Sequence, residues 1–204
     1  MLSYKSDKKL KSMMVKEMKL HQEQDAIIKG AYGKENGIFK GCAVGCAVRS
    51  LNLKMNKHYA YGDHTAYEKE LGLPEWLARL EDKIFEGLPD DEAKRFPVEF
   101  LKSIPVGVNL DSVKWKFCSF ILRENIERVL ALTIDEALKK QVVDAIRQCL
   151  ALQEKAIKTG KFDESAESAA WSAESAARSA AWSSESAAYT NYKNELLRLL
   201  KEAK

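Results

Sequence analysis

An eleven-residue repeat near the C-terminus constrains the fold of this chain more than any other feature. The segment SAAWSAESAAR at 168–178 is followed at once by SAAWSSESAAY at 179–189, and nine of the eleven positions match. Eleven residues complete three helical turns at 3.67 residues per turn, so each position keeps its place around the helix axis. Neither Gly nor Pro occurs after Gly160. The repeat therefore predicts a long helix that ends near residue 202.

The repeat separates small side chains from large ones on that helix. Its alanines form a wide face that permits close approach of a neighbouring helix, so we predict that it packs on an antiparallel neighbour. Two alternatives remain open. The opposite strip can be a self-association surface, or the alanine face can bind ice, because the period resembles that of the Ala-rich fish antifreeze polypeptides. The predicted interaction residues are Trp171, Trp182, Arg178 and Tyr189.

The rest of the chain also favours helices. The first helix is predicted over residues 3–30, and the sequence TIDE at 133–136 predicts a capping box with Thr133 as N-cap. A heptad stripe that starts at Leu138 follows, and Gly160 predicts the helix end. Pro74 and Pro97 are expected in the first turns of two further helices.

These signals predict an all-α or nearly all-α fold, because the sequence shows no strong strand pair and no hairpin dipeptide between alternating runs. We predict one helical domain over residues 1–204. Within it, residues 1–132 form an N-terminal helical part that holds any functional site, and residues 133–204 form a long helical hairpin that acts as scaffold.

Several segments resemble those of an uncharacterised group of bacterial and phage-borne proteins. The resemblance implies a single unit in which the Ala-rich helix and the Cys-bearing segment share one fold, and it brings no activity with it. The segments are GCAVGC (41–46), LGLPEWLARLEDKIFEGLP (71–89), FPVEFLKSIPVG (96–107) and YTNYKNELLRLL (189–200).

Composition and charge exclude some functional classes. The chain is 46% hydrophobic and 31% charged, contains no apolar run long enough for a membrane span, and begins without a signal peptide. We therefore expect a cytoplasmic protein with reduced cysteines and no membrane partner. Six lysines stand in residues 1–19, but the net charge is only +3. Because nucleic-acid binding usually needs a broader basic face, we do not expect a nucleic-acid partner.

The candidate site lies in the first half of the chain. Glycines spaced by three or four residues over 30–45 predict a backbone that turns and passes close to other backbone. Two cysteines stand in residues 30–46, a histidine follows within twenty residues, and the next helix carries two carboxylates one turn apart. Sequence-adjacent helices in a small α domain usually pack together. The predicted catalytic set is Cys42, Cys46, His64, Asp82 and Glu86.

The chemistry of this set remains open at the sequence level. Cys42 can be a nucleophile activated by a helix N-terminus, or the thiols and His64 can bind metal with one further ligand. Asp82 and Glu86 can act in acid–base chemistry or hold a hard cation. The simpler interpretation is that both thiols are buried small side chains and that the carboxylates form solvated ion pairs. We assign no metal and no cofactor from the sequence.

The leading functional prediction is a non-catalytic helical protein that binds another protein, a second copy of itself or a small ligand, with a phage or host-defence context. The first alternative is a small enzyme that uses the Cys/His/acid set, so the sequence does not decide whether the chain is an enzyme. The second alternative is an accessory protein that binds nucleic acid through the N-terminal lysines.

Overall fold

The computed structural model describes residues 1–161 and 186–204, and it confirms the nearly all-α fold class. The described residues fall into two compact units. Unit one comprises Met1–Leu110 together with the C-terminal helix, and unit two begins at Asp111. The predicted internal division lay at residue 132 instead. The eleven-residue repeat up to Glu185, with Trp171, Arg178 and Trp182, lies outside the described residues, and so does its predicted packing.

Unit one is built mainly from five helices. Its elements in chain order are a 3-10 turn (Ser3–Ser6), α1 (Lys8–Glu23), β1 (Lys34–Asn36), β2 (Ile38–Lys40), α2 (Ala43–Met55), a π-helical turn (Tyr67–Leu71), α3 (Glu75–Gly87), α4 (Asp90–Ser103) and, at the C-terminus, α7 (Ser186–Lys201). Unit two contains α5 (Asp111–Ala131) and α6 (Glu136–Thr159). Among the described residues, no helix combines the length and hydrophobicity that crossing a membrane requires.

The helix starts differ from the sequence prediction at three places. The first helix begins at Lys8 because the Asp7 side chain caps it and accepts a hydrogen bond from Lys9 N at 2.7 Å. Helix α4 begins at Asp90, and Pro97 lies inside it instead of opening it. Helix α6 is capped by Asp135, whose Oδ1 accepts from Leu138 N at 2.9 Å, so Thr133 is not the N-cap. The predicted end of this helix at Gly160 is confirmed, with φ at +69°.

A small β-hairpin departs from the all-α expectation. Strands β1 and β2 pair antiparallel across Gly37, which has a φ of +83°, and Lys34 lies opposite Lys40. The hairpin dipeptide Asn36–Gly37 is therefore present. It escaped the sequence analysis because each strand has three residues, too few to show an alternating pattern.

The core of unit one holds α2 and α3 against each other and so positions the candidate site. Helix α1 packs on α2 and α4, α3 packs on α2 and α4, and α7 packs on α3 and α4. The fully buried side chains include Met14, Leu51, Leu77 and Phe100. Burial of such side chains contributes on the order of 1.5–3 kcal/mol each, which fixes the register between these helices.

Unit two is a helical hairpin. Helices α5 and α6 pack along each other, and Ile126, Val129, Val143 and Ile146 form their shared core. The buried stripe of α6 agrees with the predicted heptad stripe only in part. Cys149 and Ala156 of that stripe are buried, but Leu138 is 50% exposed, and Val143 and Ile146 face the core instead. The partner α5 determines which face of α6 is buried, and the heptad pattern alone indicated that face only in part.

Candidate functional site

The N-terminus of α2 forms one side of the candidate site. Cys42 is its N-cap residue and has extended backbone, and its Sγ accepts a hydrogen bond from Gly45 N at 3.4 Å. Small residues follow because the backbone of the preceding loop lies directly on this turn. A Cβ at Gly45 would overlap the carbonyl group of Tyr32. The glycine spacing therefore does bring two backbone segments together, as the sequence predicted.

Helix α3 forms the other side of the site with two carboxyl groups one turn apart. The Sγ of Cys42 and one carboxylate oxygen each from Asp82 and Glu86 all lie within 4.8 Å of one another. We call these three residues the thiol–carboxyl cluster. Cys42 is buried, Asp82 is partly buried, and Glu86 is the most exposed of the three. The cluster joins two successive α-helices that pack together in the fold, as the sequence analysis expected.

The two oxygens of Asp82 have different surroundings. Tyr32 donates a hydrogen bond from its hydroxyl group to Oδ2 at 3.1 Å, and Nε2 of the buried His64 lies 3.3 Å from the same oxygen. The His64 and Tyr32 rings also meet edge-on, with centroids 5.8 Å apart. The other oxygen, Oδ1, is buried and accepts no hydrogen bond from the residues that the structure describes. One oxygen thus fixes the carboxylate, and the second is left for another partner.

Glu86 is held by the loop that precedes β1. Gly30 N donates to both carboxylate oxygens, at 3.0 and 3.1 Å. Gly30 has a φ of +77°, a conformation that glycine adopts without strain. Burial raises the pKa of the Glu86 carboxyl, and the negative charge of Asp82 raises it further. Both effects disfavour a negative charge on Glu86 beside that of Asp82.

The electrostatics of the cluster also act on Cys42. Burial raises the pKa of its thiol well above the ordinary range, and the Asp82 charge raises it further. The thiol is therefore protonated at neutral pH, although it caps a helix N-terminus. Since the thiolate is the nucleophilic form, the raised pKa of Cys42 disfavours the activated cysteine that the enzyme alternative requires.

The structure does not bring Cys46 together with the other four predicted site residues. Its thiol points away from the cluster and lies 3.4 Å from Gly41 O and 3.8 Å from Ala26 O. Burial raises the pKa of Cys46 to about 12. Cys46 is thus one of the buried small side chains that the simpler interpretation expected, whereas Cys42, His64, Asp82 and Glu86 are neighbours.

Of the four predicted interaction residues, only Tyr189 lies within the described part of the chain. It is partly buried on α7, and a Cβ at Gly87 would overlap its ring. Its ring also meets that of Tyr192 edge-on at 5.7 Å. Tyr189 therefore packs inside unit one. This packing accounts for its aromatic ring without an interface to a second chain.

The sequence analysis missed three residues that shape the site region. Gly30 and Tyr32 position the two carboxylates, and only folding brings them to α3. Glu81 is fully buried behind the cluster, where its Oε2 accepts from the Tyr67 hydroxyl at 2.8 Å and its Oε1 has no partner. A signal for Glu81 did exist, because it follows Leu77 by four residues and so lies on the apolar stripe of α3.

Comparison with known proteins leaves the geometry as the only guide to function. No protein-family model, no curated protein and no solved structure matches this chain.

Proposed function

We propose that unit one binds a single divalent transition-metal ion, Zn²⁺ in the first instance, through Cys42, Asp82 and Glu86. The observation that carries the proposal is the placement of one thiol and two carboxyl oxygens within 4.8 Å of one another. The sequence analysis left a site with both thiols and His64 open and assigned no metal. The fold instead combines one cysteine with carboxylates from α3, and the predicted small ligand becomes a metal ion.

The donor types favour zinc over magnesium or calcium. Mg²⁺ and Ca²⁺ prefer ligand sets made of oxygen atoms alone, whereas Zn²⁺ accepts sulfur and carboxylate oxygen together. Ligand atoms around tetrahedral Zn²⁺ lie about 3.5 Å apart, since Zn–S is about 2.3 Å and Zn–O about 2.1 Å. The cluster needs to contract by only about 1 Å to reach that geometry, and side-chain rotation can supply such a movement.

The electrostatics of the thiol–carboxyl cluster also favour a bound cation. A buried thiol beside two carboxyl groups raises the cost of each negative charge, as the raised pKa values of Cys42 and Glu86 show. A divalent cation removes that repulsion and displaces the thiol proton as it binds. Metal binding should therefore release a proton, and the affinity should fall as the pH is lowered.

The surroundings of Asp82 suit a metal ligand. Second-shell hydrogen bonds usually orient a ligating carboxylate, and Tyr32 and His64 both contact Oδ2. That arrangement leaves the buried Oδ1 for the ion. Three protein ligands leave a fourth coordination position, which we assign to water. His64 then acts as a positioning residue through Asp82.

A bound ion would join α2, α3 and, through Gly30 and Tyr32, the loop before β1. The function that follows is metal-dependent stabilisation of unit one, in line with the predicted non-catalytic class. Saturation at 100 times the dissociation constant adds about 2.7 kcal/mol to the free energy of unfolding. A cytoplasmic location suits this function because Cys42 has to stay reduced. The predicted phage or host-defence context and protein partner remain predictions.

Calorimetric titration with Zn²⁺, together with Co²⁺ absorption spectra that report thiolate ligation, tests the proposal. We expect one ion per chain in the unmodified protein and at least ~100-fold weaker binding in Cys42→Ser and Asp82→Asn, more than a typical second-shell loss. Cys46→Ser is the matched control, because it removes a buried thiol one turn along the same helix. Equal affinities in the two cysteine variants, or no thiolate band in the unmodified protein, would overturn the assignment.

The positioning role of Tyr32 has a separate test. Tyr32→Phe keeps the ring but removes the hydroxyl group that donates to Asp82 Oδ2. We expect about 10-fold weaker Zn²⁺ binding, with the Co²⁺–thiolate band retained. An unchanged affinity would show that Asp82 does not depend on this hydrogen bond for its orientation.

A further inference from the structure

A second surface of unit one concentrates positive charge in an open groove between α1 and the end of α4. The groove has a volume of about 710 Å³, room for several phosphate groups instead of one. Most of the residues that line it are lysines, and we call this surface the α1 groove. Its lining residues are Lys8, Lys11, Ser12, Val15, Lys16, Lys19, Lys102 and Val106.

The charge of the α1 groove is not compensated by neighbouring carboxylates. The ion pairs formed between described residues involve none of its five lysines. The one glutamate in the middle of α1, Glu17, pairs with Lys54 on α2 at 3.1 Å. Asp7 is used as the N-cap of α1. Glu17 and Asp7 are thus engaged elsewhere, whereas Glu23 lies at the exposed end of α1, one turn after Lys19.

The groove is made by tertiary packing as well as by the basic N-terminus. Lys11 Nζ donates to Lys102 O at 2.8 Å and to Ile104 O at 2.6 Å. These carbonyl groups end α4, where a cation is favourable, so Lys11 fastens α1 to α4. The contact brings Lys102 into the same groove as the α1 lysines. The basic face is therefore broader than the face that the lysines of residues 1–19 would form by themselves.

The dimensions of the groove match a phosphate backbone. Lys8 and Lys19 are about 16 Å apart along α1 at 1.5 Å per residue. One strand of a duplex rises 3.4 Å per phosphate along its axis, so the row covers the axial rise of about five phosphates, and the winding of the strand turns part of these away from a straight row. No aromatic side chain lines the groove, and stacking on single-stranded bases is therefore not available there. Its apolar residues, Val15 and Val106, are half-buried and too small for insertion into a membrane.

We propose that unit one binds duplex nucleic acid through the α1 groove, by contacts to the phosphate backbone and without sequence preference. The occupant follows from charge complementarity: besides Lys11, which is bonded to carbonyl groups of α4, the groove lining offers four ammonium groups and no carboxylate, and a duplex offers a regular row of phosphates. The proposal does not rest on the metal site, because neither surface uses a residue of the other. It replaces the expectation that nucleic acid is not a partner.

Fluorescence anisotropy with a labelled 20-bp DNA duplex over a range of KCl concentrations tests this proposal. For four phosphate contacts, one for each groove lysine other than Lys11, log K should fall against log [KCl] with a slope of about −3.6. The triple variant Lys8→Gln, Lys16→Gln, Lys19→Gln should bind at least ~10-fold more weakly and should reduce the slope by about 3. Lys11 is kept in this variant because it holds α1 to α4.

A second triple variant provides a matched control for net charge. Lys34, Lys40 and Lys69 are exposed in unit one and lie outside the groove, and their replacement by Gln removes the same charge. The control should keep its affinity within about 2-fold, and circular dichroism should show both variants folded. Equal losses in the two variants would overturn the proposal. So would tighter binding to a single strand of the same length, or binding only to vesicles that contain phosphatidylserine.

Discussion

Replacing Glu81 by Gln should flatten the pH dependence of unfolding of unit one between pH 5 and pH 8. Glu81 lies on the buried face of α3 with an exposed fraction of 0%, and Tyr67 donates a hydrogen bond to its Oε2. Burial raises the pKa of the carboxyl from 4.5 to about 8, and the neighbouring Asp82 charge adds to that rise. The folded protein therefore holds this carboxyl neutral at pH 7, whereas the unfolded chain ionises it.

The sign and size of the effect follow from this difference. A folded-state pKa above the unfolded value means that the folded state binds the extra proton, so stability is highest below pH 4.5 and falls as the pH rises toward 8. Each pH unit between those values removes about 1.4 kcal/mol. Between pH 5 and pH 7 the Glu81 carboxyl should cost about 2.5 kcal/mol of unfolding free energy. With a urea m-value of about 1–3 kcal/mol/M, the urea concentration at the midpoint of unfolding should fall by roughly 1 M between pH 5 and pH 7.

Urea unfolding followed by far-ultraviolet circular dichroism at pH 5, 6, 7 and 8 measures this loss in the two proteins. Gln keeps the size of the side chain and an oxygen for the Tyr67 hydroxyl, so any packing cost should be the same at every pH. The unmodified protein should lose about 2.5 kcal/mol more than the Gln variant between pH 5 and pH 7. Parallel losses in the two proteins would refute the reasoning, because they would mean that Glu81 is already ionised in the folded state.

Three further substitutions test how the structure is held together. Gly45→Ala should lower the unfolding free energy by about 1–3 kcal/mol, because the new Cβ would overlap the Tyr32 backbone. This overlap should outweigh the better helix propensity of Ala. A variant that is more stable in urea unfolding would contradict the contact. Asp135→Ala should cost about 1 kcal/mol in the same assay, whereas Thr133→Ala should cost almost nothing, and the reverse order would restore the predicted capping box.

The sequence by itself determined the features that depend on neighbours along the chain. The nearly all-α class, the helix that follows Cys42 and the end of α6 at Gly160 all came from local signals: helical periodicity, capping and the left-handed preference of glycine. The glycine spacing before Cys42 likewise indicated a close backbone contact, which is the contact with Tyr32. Local rules succeed there because the responsible interactions span only a few residues.

Only the tertiary structure decided which side chains meet. Cys42 and Cys46 look equivalent in the sequence, yet one faces Asp82 and Glu86 while the other faces carbonyl groups, because the first caps α2 and the second lies one turn inside it. In the same way, Lys102 joins the α1 lysines only through the packing of α4 on α1. Periodicity specifies the face of a helix, but the element that covers that face depends on long-range packing, which no local pattern records.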